Sequence, residues 1–350
     1  MASTEHVSWF ADVGLDDRPF VGGKGGSLGE LQRAGIAVPP GFVIRTQAFE
    51  SCLQVLERDA PVRVQVEALD GDDLEAVTAC SLSVRRRWED VALPPPLVEE
   101  LAAAYRDLVE ESAGQAVAVR SSATTEDAAD ASFAGLQDTY LWLTGWSDTL
   151  KSVRRCWASL YSVESICYRR RRGYREAGVA MAVVVQAMVD ARTAGVMFTR
   201  SPTTGDRSVI TIEAAWGLGS AVVAGEVTPD RWVMGKITGE ISVREISDKA
   251  IQHVPVPAGG TQALPVEETL RRAASMSDQE LQALRSVART VERHYGRAQD
   301  IEWAVDRHSG RILLLQSRPE TVWSAKETAP VARAAENPLL HVMSIFGGRR

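Results

Sequence analysis

Cysteine is scarce in this chain and arranged for neither of its usual structural uses. Four thiols, Cys52, Cys80, Cys156 and Cys167, stand apart among 350 residues, with no Cys-x-x-Cys pair. That pattern excludes a disulfide framework and a thiolate zinc site, and fits reduced thiols in the cell interior. Long apolar runs are missing as well. The longest, around residues 179–189, is interrupted by Gln186 and is too short to span a bilayer. The first residues, Met1-Ala2-Ser3-Thr4-Glu5-His6, lack the basic-then-apolar order of a secretory leader. Positive charge is not in excess: the net charge is −7 and the pI about 5.4, which argues against nucleic acid or an anionic membrane as main partner. What remains is an ordinary globular composition, 45% apolar, in a chain long enough for two or three packed lobes. The expectation is a cytoplasmic protein.

The most informative stretch is Gln299-Asp300-Ile301-Glu302-Trp303-Ala304-Val305-Asp306, followed by Ile312-Leu313-Leu314-Leu315-Gln316-Ser317-Arg318-Pro319-Glu320. Between them stands the turn-forming group Asp306-Arg307-His308-Ser309-Gly310, so the pair reads as a β-hairpin. A three-residue turn with Asp306 opposite Gly310 sets Glu302 against Leu314 and Asp300 against Gln316. Alternation then gathers Asp300, Glu302, Leu314, Gln316 and Arg318 on one face, with Ile301, Trp303, Val305, Leu313 and Leu315 on the other. Carboxylate and amide oxygens are hard ligands suited to Mg²⁺, which completes its shell with water and phosphates. An arginine beside them can fork onto a phosphate. The plainer alternative is a hairpin with one solvated face.

Upstream, Gly22-Gly23-Lys24-Gly25-Gly26 reads as a glycine-rich loop before a short helix over residues 27–34. Its amides and Lys24 suit an anion, although the spacing is not that of a P-loop and many such turns are only turns. Residues 46–113 read as a helical insert without chemistry. Ala116 to Val119 reads as a buried strand that delivers Arg120 and several hydroxyls to its end, where a strand-capping ion pair is the competing reading. Small residues around Phe133 suit a flap. The four arginines 169–172 read as a solvated helix face or, more sharply, a docking patch. Met181 to Val189 reads as a strand linking two lobes; its backbone, Gln186 and Met188 could line an adenine slot, or it could be plain core. Ser277 and Glu280 form a capping box that opens a helix with Leu281, Leu284, Val287, Ala288 and Val291 on one face. Residues 324–350 read as a flexible or partner-docking tail.

Taken in order, Val21-Gly22-Gly23-Lys24, Val38-Pro39-Pro40-Gly41-Phe42, Val119-Arg120-Ser121-Ser122-Ala123-Thr124, Ser132-Phe133-Ala134-Gly135, Val185-Gln186-Ala187-Met188-Val189, Gly195-Val196-Met197-Phe198-Thr199 and the hairpin form a set. Over roughly residues 8–323 the chain resembles the N-terminal nucleotide-binding domain of the phosphoenolpyruvate synthase and pyruvate phosphate dikinase family. The resemblance implies an α+β ATP-grasp fold, with lobes at 1–184 and 185–323 and ATP between them. It implies that Lys24, Arg120 and Arg318 handle phosphate and that Gly135 and Thr139 belong to a flap over it. Gln186 would lie on the adenine side, and Glu302 and Gln316 would hold Mg²⁺ with Asp300 beside them. Leu136, Asp138 and Ala298 depart from the family's usual glutamine, glutamate and proline. None of the five histidines has the Thr-Ser-His-Ala setting of the family's phosphorylated histidine. The expectation is therefore a split dikinase, similar to phenylphosphate synthase. Its ATP subunit would phosphorylate a histidine on a separate subunit and release AMP and phosphate, with the acceptor, such as a phenol, bound elsewhere. A direct small-molecule kinase and a non-catalytic regulatory module are the alternatives.

Overall fold

The structure, a computed structural model, describes residues 4–58, 60–114, 116–124, 127–128, 131–132 and 138–324. The flap around Gly135 and the tail from residue 325 lie outside the described residues. The strands are β1 (Val7–Trp9), β2 (Gly41–Ile44), β3 (Val117–Ala123), β4 (Asp127–Ala128), β5 (Ala131–Ser132), β6 (Thr139–Leu143), β7 (Met181–Ala187), β8 (Ala191–Phe198), β9 (Val209–Trp216), β10 (Asp230–Gly235), β11 (Ile241–Glu245), β12 (Ile251–Pro255), β13 (Thr261–Pro265), β14 (Gln299–Asp306) and β15 (Ile312–Pro319). The helices are α1 (Arg18–Arg33), α2 (Thr46–Glu57), α3 (Val62–Glu67), α4 (Leu74–Asp90), α5 (Pro95–Glu111), α6 (Trp146–Ser159), α7 (Val163–Arg172), α8 (Ser220–Val223), α9 (Glu268–Arg271) and α10 (Asp278–Tyr295). The mixed α+β class expected from the sequence is the one observed.

Two antiparallel sheets carry the site. The first runs β1-β2-β7-β3-β6 and the second β11-β10-β9-β8-β14-β15. Both belong to the unit that ends at Glu320. Alternation divides the first sheet. Val117, Val119, Val183 and Val185 enter a core with Phe49, Trp88 and Trp157 from the helices, and Phe49 stacks on Trp88 at 5.1 Å between centroids. The 46–113 region is thus the layer that buries one face of the sheet, where an insert was expected. Ala118, Arg120, Val184 and Gln186 occupy the other face. There Val43 and Val184 pack on Val21 and Leu28 of α1. In the second sheet Met197, Ile212, Trp232, Ile301, Trp303 and Val305 pack on Leu281, Leu284, Ala288 and Val291 of α10. Each buried Val, Leu, Ile or Met side chain among these stabilises the fold by about 1.5–3 kcal/mol. The capping box opens α10 as expected: Ser277 Oγ accepts from the Glu280 amide at 3.3 Å, and the Glu280 carboxylate accepts from the Ser277 amide at 2.8 Å.

Several expectations are corrected. The glycine-rich stretch is helical from Gly23 onward, and only Gly22 breaks α1, at φ 70°. A Cβ there would stand 2.1 Å from the Ser122 carbonyl oxygen, so the close backbone approach requires glycine. The expected lobe boundary at 184 falls inside β7, all of whose residues are buried in the first sheet. The arginine run is a solvated face only in its second half, where Arg171 and Arg172 are exposed. Arg169 is buried, forked onto Glu176 at 3.0 and 3.2 Å and bonded to the Leu160 carbonyl, while Arg170 also reaches Glu176.

The hairpin register differs as well. The turn holds four residues, with Asp306 facing Arg311, and Leu315 is bulged. Trp303 therefore pairs with Leu314, Glu302 with Gln316 and Asp300 with Arg318. Leu314, placed on the polar face by the sequence, is buried beside Trp303. Leu313 and Leu315 pack instead near Ala304. Asp300, Glu302, Gln316 and Arg318 still share a face, because turn and bulge each shift the register by one residue and together keep the parity.

Candidate functional site

A cleft of about 330 Å³ lies between the inner faces of the two sheets. The first sheet contributes Ala118, Arg120, Thr139 and Gln186; the linker and second sheet contribute Met188, Ala194, Glu302 and Ala304. Thr139 stands beside Arg120 because the two are paired across β3 and β6. Gln186 stands one row further on, opposite Ala118. β7 leaves the first sheet at Ala187 and the chain enters the second at Ala191, so Met188 and Val189 form the back wall. There the Met188 amide bonds the Ala116 carbonyl at 2.8 Å. The Gln186 side-chain amide donates to the Pro39 carbonyl at 3.2 Å, which fixes its orientation.

At the other end the two sheets meet through one guanidinium. Arg120 Nη1 donates to the Leu315 carbonyl at 2.8 Å. Its Nη2 donates to Gln316 Oε1 at 2.5 Å and Glu302 Oε2 at 3.2 Å. The bulge explains this geometry: the unpaired residue frees its carbonyl from the ladder and turns it toward Arg120. Two hard oxygens from adjacent strands thus converge on one cationic nitrogen. Beyond them a second hollow of about 300 Å³ is lined by Asp300, Glu302, Gln316, Arg318 and Glu213 among others. Asp300 faces Arg318 Nε at 3.4 Å, and its Oδ1 is buried without a hydrogen-bond partner. Burial pushes the Asp300 carboxyl up to about 6; Arg318 opposes this and Glu320 adds to it. Burial also raises the Glu213 carboxyl.

Lys24 is buried near the start of α1 and does not line either hollow. Gly135 lies outside the described residues. Glu213 was not singled out from the sequence. The signal was present: Ile210, Ile212 and Ala214 alternate with Thr211 and Glu213. Only the pairing of Val196 with both Glu213 and Glu302 brings that carboxylate into the row of Glu302. Among the described residues no three His, Cys, Asp or Glu side chains gather as a metal site. The gathered set is carboxylates with an amide, which suits Mg²⁺ held partly by substrate phosphates.

Chemically this is an α+β protein with an apolar slot at one end of a cleft and an arginine held by carboxylate and amide oxygens at the other. Residues 18–338 match the family described as pyruvate phosphate dikinase, AMP/ATP-binding domain, and the chain belongs to that family. It is 38% identical to a probable phosphoenolpyruvate synthase of Staphylothermus marinus, over 94% of its own length and 43% of that protein's. It is 35% identical to a phosphoenolpyruvate synthase of Pyrococcus furiosus, over 94% and 45% respectively. The chain therefore spans less than half the length of these curated relatives. A solved structure of D-alanyl-alanine synthetase A from Vibrio cholerae aligns at 10% identity and a TM-score of 0.24, over 65% of this chain and 46% of that one, too distant to carry an argument. The family description makes this an AMP/ATP-binding domain, with Mg²⁺ the usual companion of such a nucleotide. No helix among the described residues is long and apolar enough to cross a membrane.

Proposed function

We propose that the cleft binds Mg-ATP and transfers its β-phosphoryl group to a histidine, with release of AMP and with water taking up the γ-phosphoryl group as phosphate. The observation that carries this is the convergence of Glu302 and Gln316 on Arg120 Nη2. A site that gathers acceptor oxygens around one positive charge between two sheets suits a divalent cation, and Asp300 with its unpartnered oxygen stands next to it. When bound, Mg²⁺ supplies charge neutralisation on the phosphates. Glu302 and Gln316 donate oxygens to it, with Asp300 beside them. Arg120, released from those oxygens, forks onto phosphate, joined by Lys24 and Arg318. Gln186 and Met188 hold the adenine, and Thr139 with Gly135 covers the phosphates. Phosphoryl transfer asks little beyond this positioning and charge handling.

In this reading the receiving imidazole is none of His6, His253, His294 and His308. His6, His294 and His308 are engaged with Glu100, Glu30 and Asp190, and His253 with Glu226. The carrier histidine belongs in this reading to a separate subunit, and a phenol or other hydroxyl or enol compound is the acceptor class. With that subunit supplied, AMP and phosphate are the expected products; ADP would make the chain a direct kinase instead.

Calorimetry on the chain alone tests the site. Glu302→Ala should weaken Mg-ATP binding by about ten- to a hundredfold, the worth of a charged ligand contact. AMP affinity should stay within about twofold, because the base slot is untouched. Equal losses for both nucleotides would overturn the assignment.

A further inference from the structure

One relay at the cleft wall is not used by this reading. Ser220, at the start of α8, lines the cleft, and its Oγ lies 2.8 Å from His253 Nδ1. His253 Nε2 lies 3.1 Å from Glu226 Oε2. β12 brings the histidine there by backbone contact: the Leu218 amide donates to the His253 carbonyl at 2.9 Å. The His253 side chain is only 14% exposed, so the imidazole is held on both sides.

The partners set the proton positions. A carboxylate only accepts, so in the neutral imidazole Nε2 carries the hydrogen and Nδ1 is left as acceptor. Ser220 then donates its hydroxyl hydrogen to Nδ1. Its remaining lone pairs are then left to accept, and because Ser220 lines the cleft a donor on a bound ligand can meet them.

Position says which donor. Along β8 the back wall at Val189 precedes Ala191, and the Glu302 row crosses at Val196. Gly219 packs beside Ala194, its hypothetical Cβ 3.5 Å from that side chain. Gly219 therefore stands about two residues, or roughly 7 Å, short of the row of Glu302, which puts its neighbour Ser220 between the base end and the phosphate end. We propose that Ser220 accepts a hydrogen bond from a ribose hydroxyl of the nucleotide, with His253 and Glu226 as the positioning residues that fix its polarity. The inference rests on the cleft being the ATP site.

Calorimetric titration of the full chain with Mg-ATP, its 2′-deoxy and 3′-deoxy analogues, and purine riboside triphosphate tests it. Ser220→Ala should lower Mg-ATP affinity about five- to tenfold, the worth of one hydrogen bond in a partly enclosed site. It should leave the affinity for one of the two deoxy analogues unchanged, and purine riboside triphosphate, which keeps both hydroxyls, should suffer the same loss as ATP. His253→Gln should reproduce the selective loss in weaker form, which a merely structural role would not do. Equal loss across all four nucleotides, or no loss, would overturn the inference while leaving the ATP site standing. A wild-type chain that binds none of them would overturn both.

Discussion

Asp300 is the residue at which burial and function conflict most. Its carboxyl is pushed from 3.8 up to about 6, by burial first, with Arg318 opposing and Glu320 adding. The folded value lies above the unfolded one. Its contribution to stability is therefore fully present below about pH 4 and is lost as pH rises through about 6. An ionised Asp300 is a standing cost at neutral pH that a bound cation would relieve. In chelator, Asp300→Asn should stabilise the protein against urea, with a gain about 2 kcal/mol larger at pH 7.5 than at pH 4.5. A gain that does not change with pH would contradict the buried-carboxylate reading. At this scale the sequence was legible where chemistry and alternation agreed, as for Asp300, Glu302, Gln316 and Arg318. Glu213 was missed because its strand reads as an ordinary half-buried one, and its neighbours come from elsewhere in the chain. Lys24 was expected in a loop and is in a helix, because glycines that pack on other backbone can helicise where free ones would not.

At the scale of elements, the hairpin shows what alternation can and cannot fix. The two faces follow from period two. The turn length and the bulge at Leu315 do not, since a bulge is selected by what its freed carbonyl meets, here Arg120 from another sheet. β8 is constrained in a comparable way. A Cβ on Gly195 would lie 1.9 Å from the Glu213 carbonyl oxygen and 2.9 Å from Ala214 Cα, both backbone atoms that cannot yield separately from the sheet. Gly195→Ala should cost about 3 kcal/mol or more in urea unfolding, through displacement of β9. A loss under roughly 0.5 kcal/mol would show that the two strands are not packed this closely. The start and the apolar face of α10, by contrast, were readable from its capping box and periodicity, because both signals are local.

For the molecule as a whole, the α+β class and the strands that face the cleft from both sheets followed from ordered motifs spread along the chain. The order of the second sheet did not. β14 lies between β8 and β15, so the last hairpin in sequence sits next to the first strand of its sheet, and that long-range pairing leaves no local mark. The same topology places Arg120, from one sheet, against acceptors on the other, and so makes the cleft a property of both. A crystal structure of the chain with Mg²⁺ and a non-hydrolysable ATP analogue is the most direct measurement. The account expects the triphosphate in the cleft, Glu302 and Gln316 on the cation, and Arg120 moved from them onto phosphate. A nucleotide bound elsewhere, or bound in the cleft with Arg120 still held by Glu302 and Gln316 and no cation between them, would contradict it.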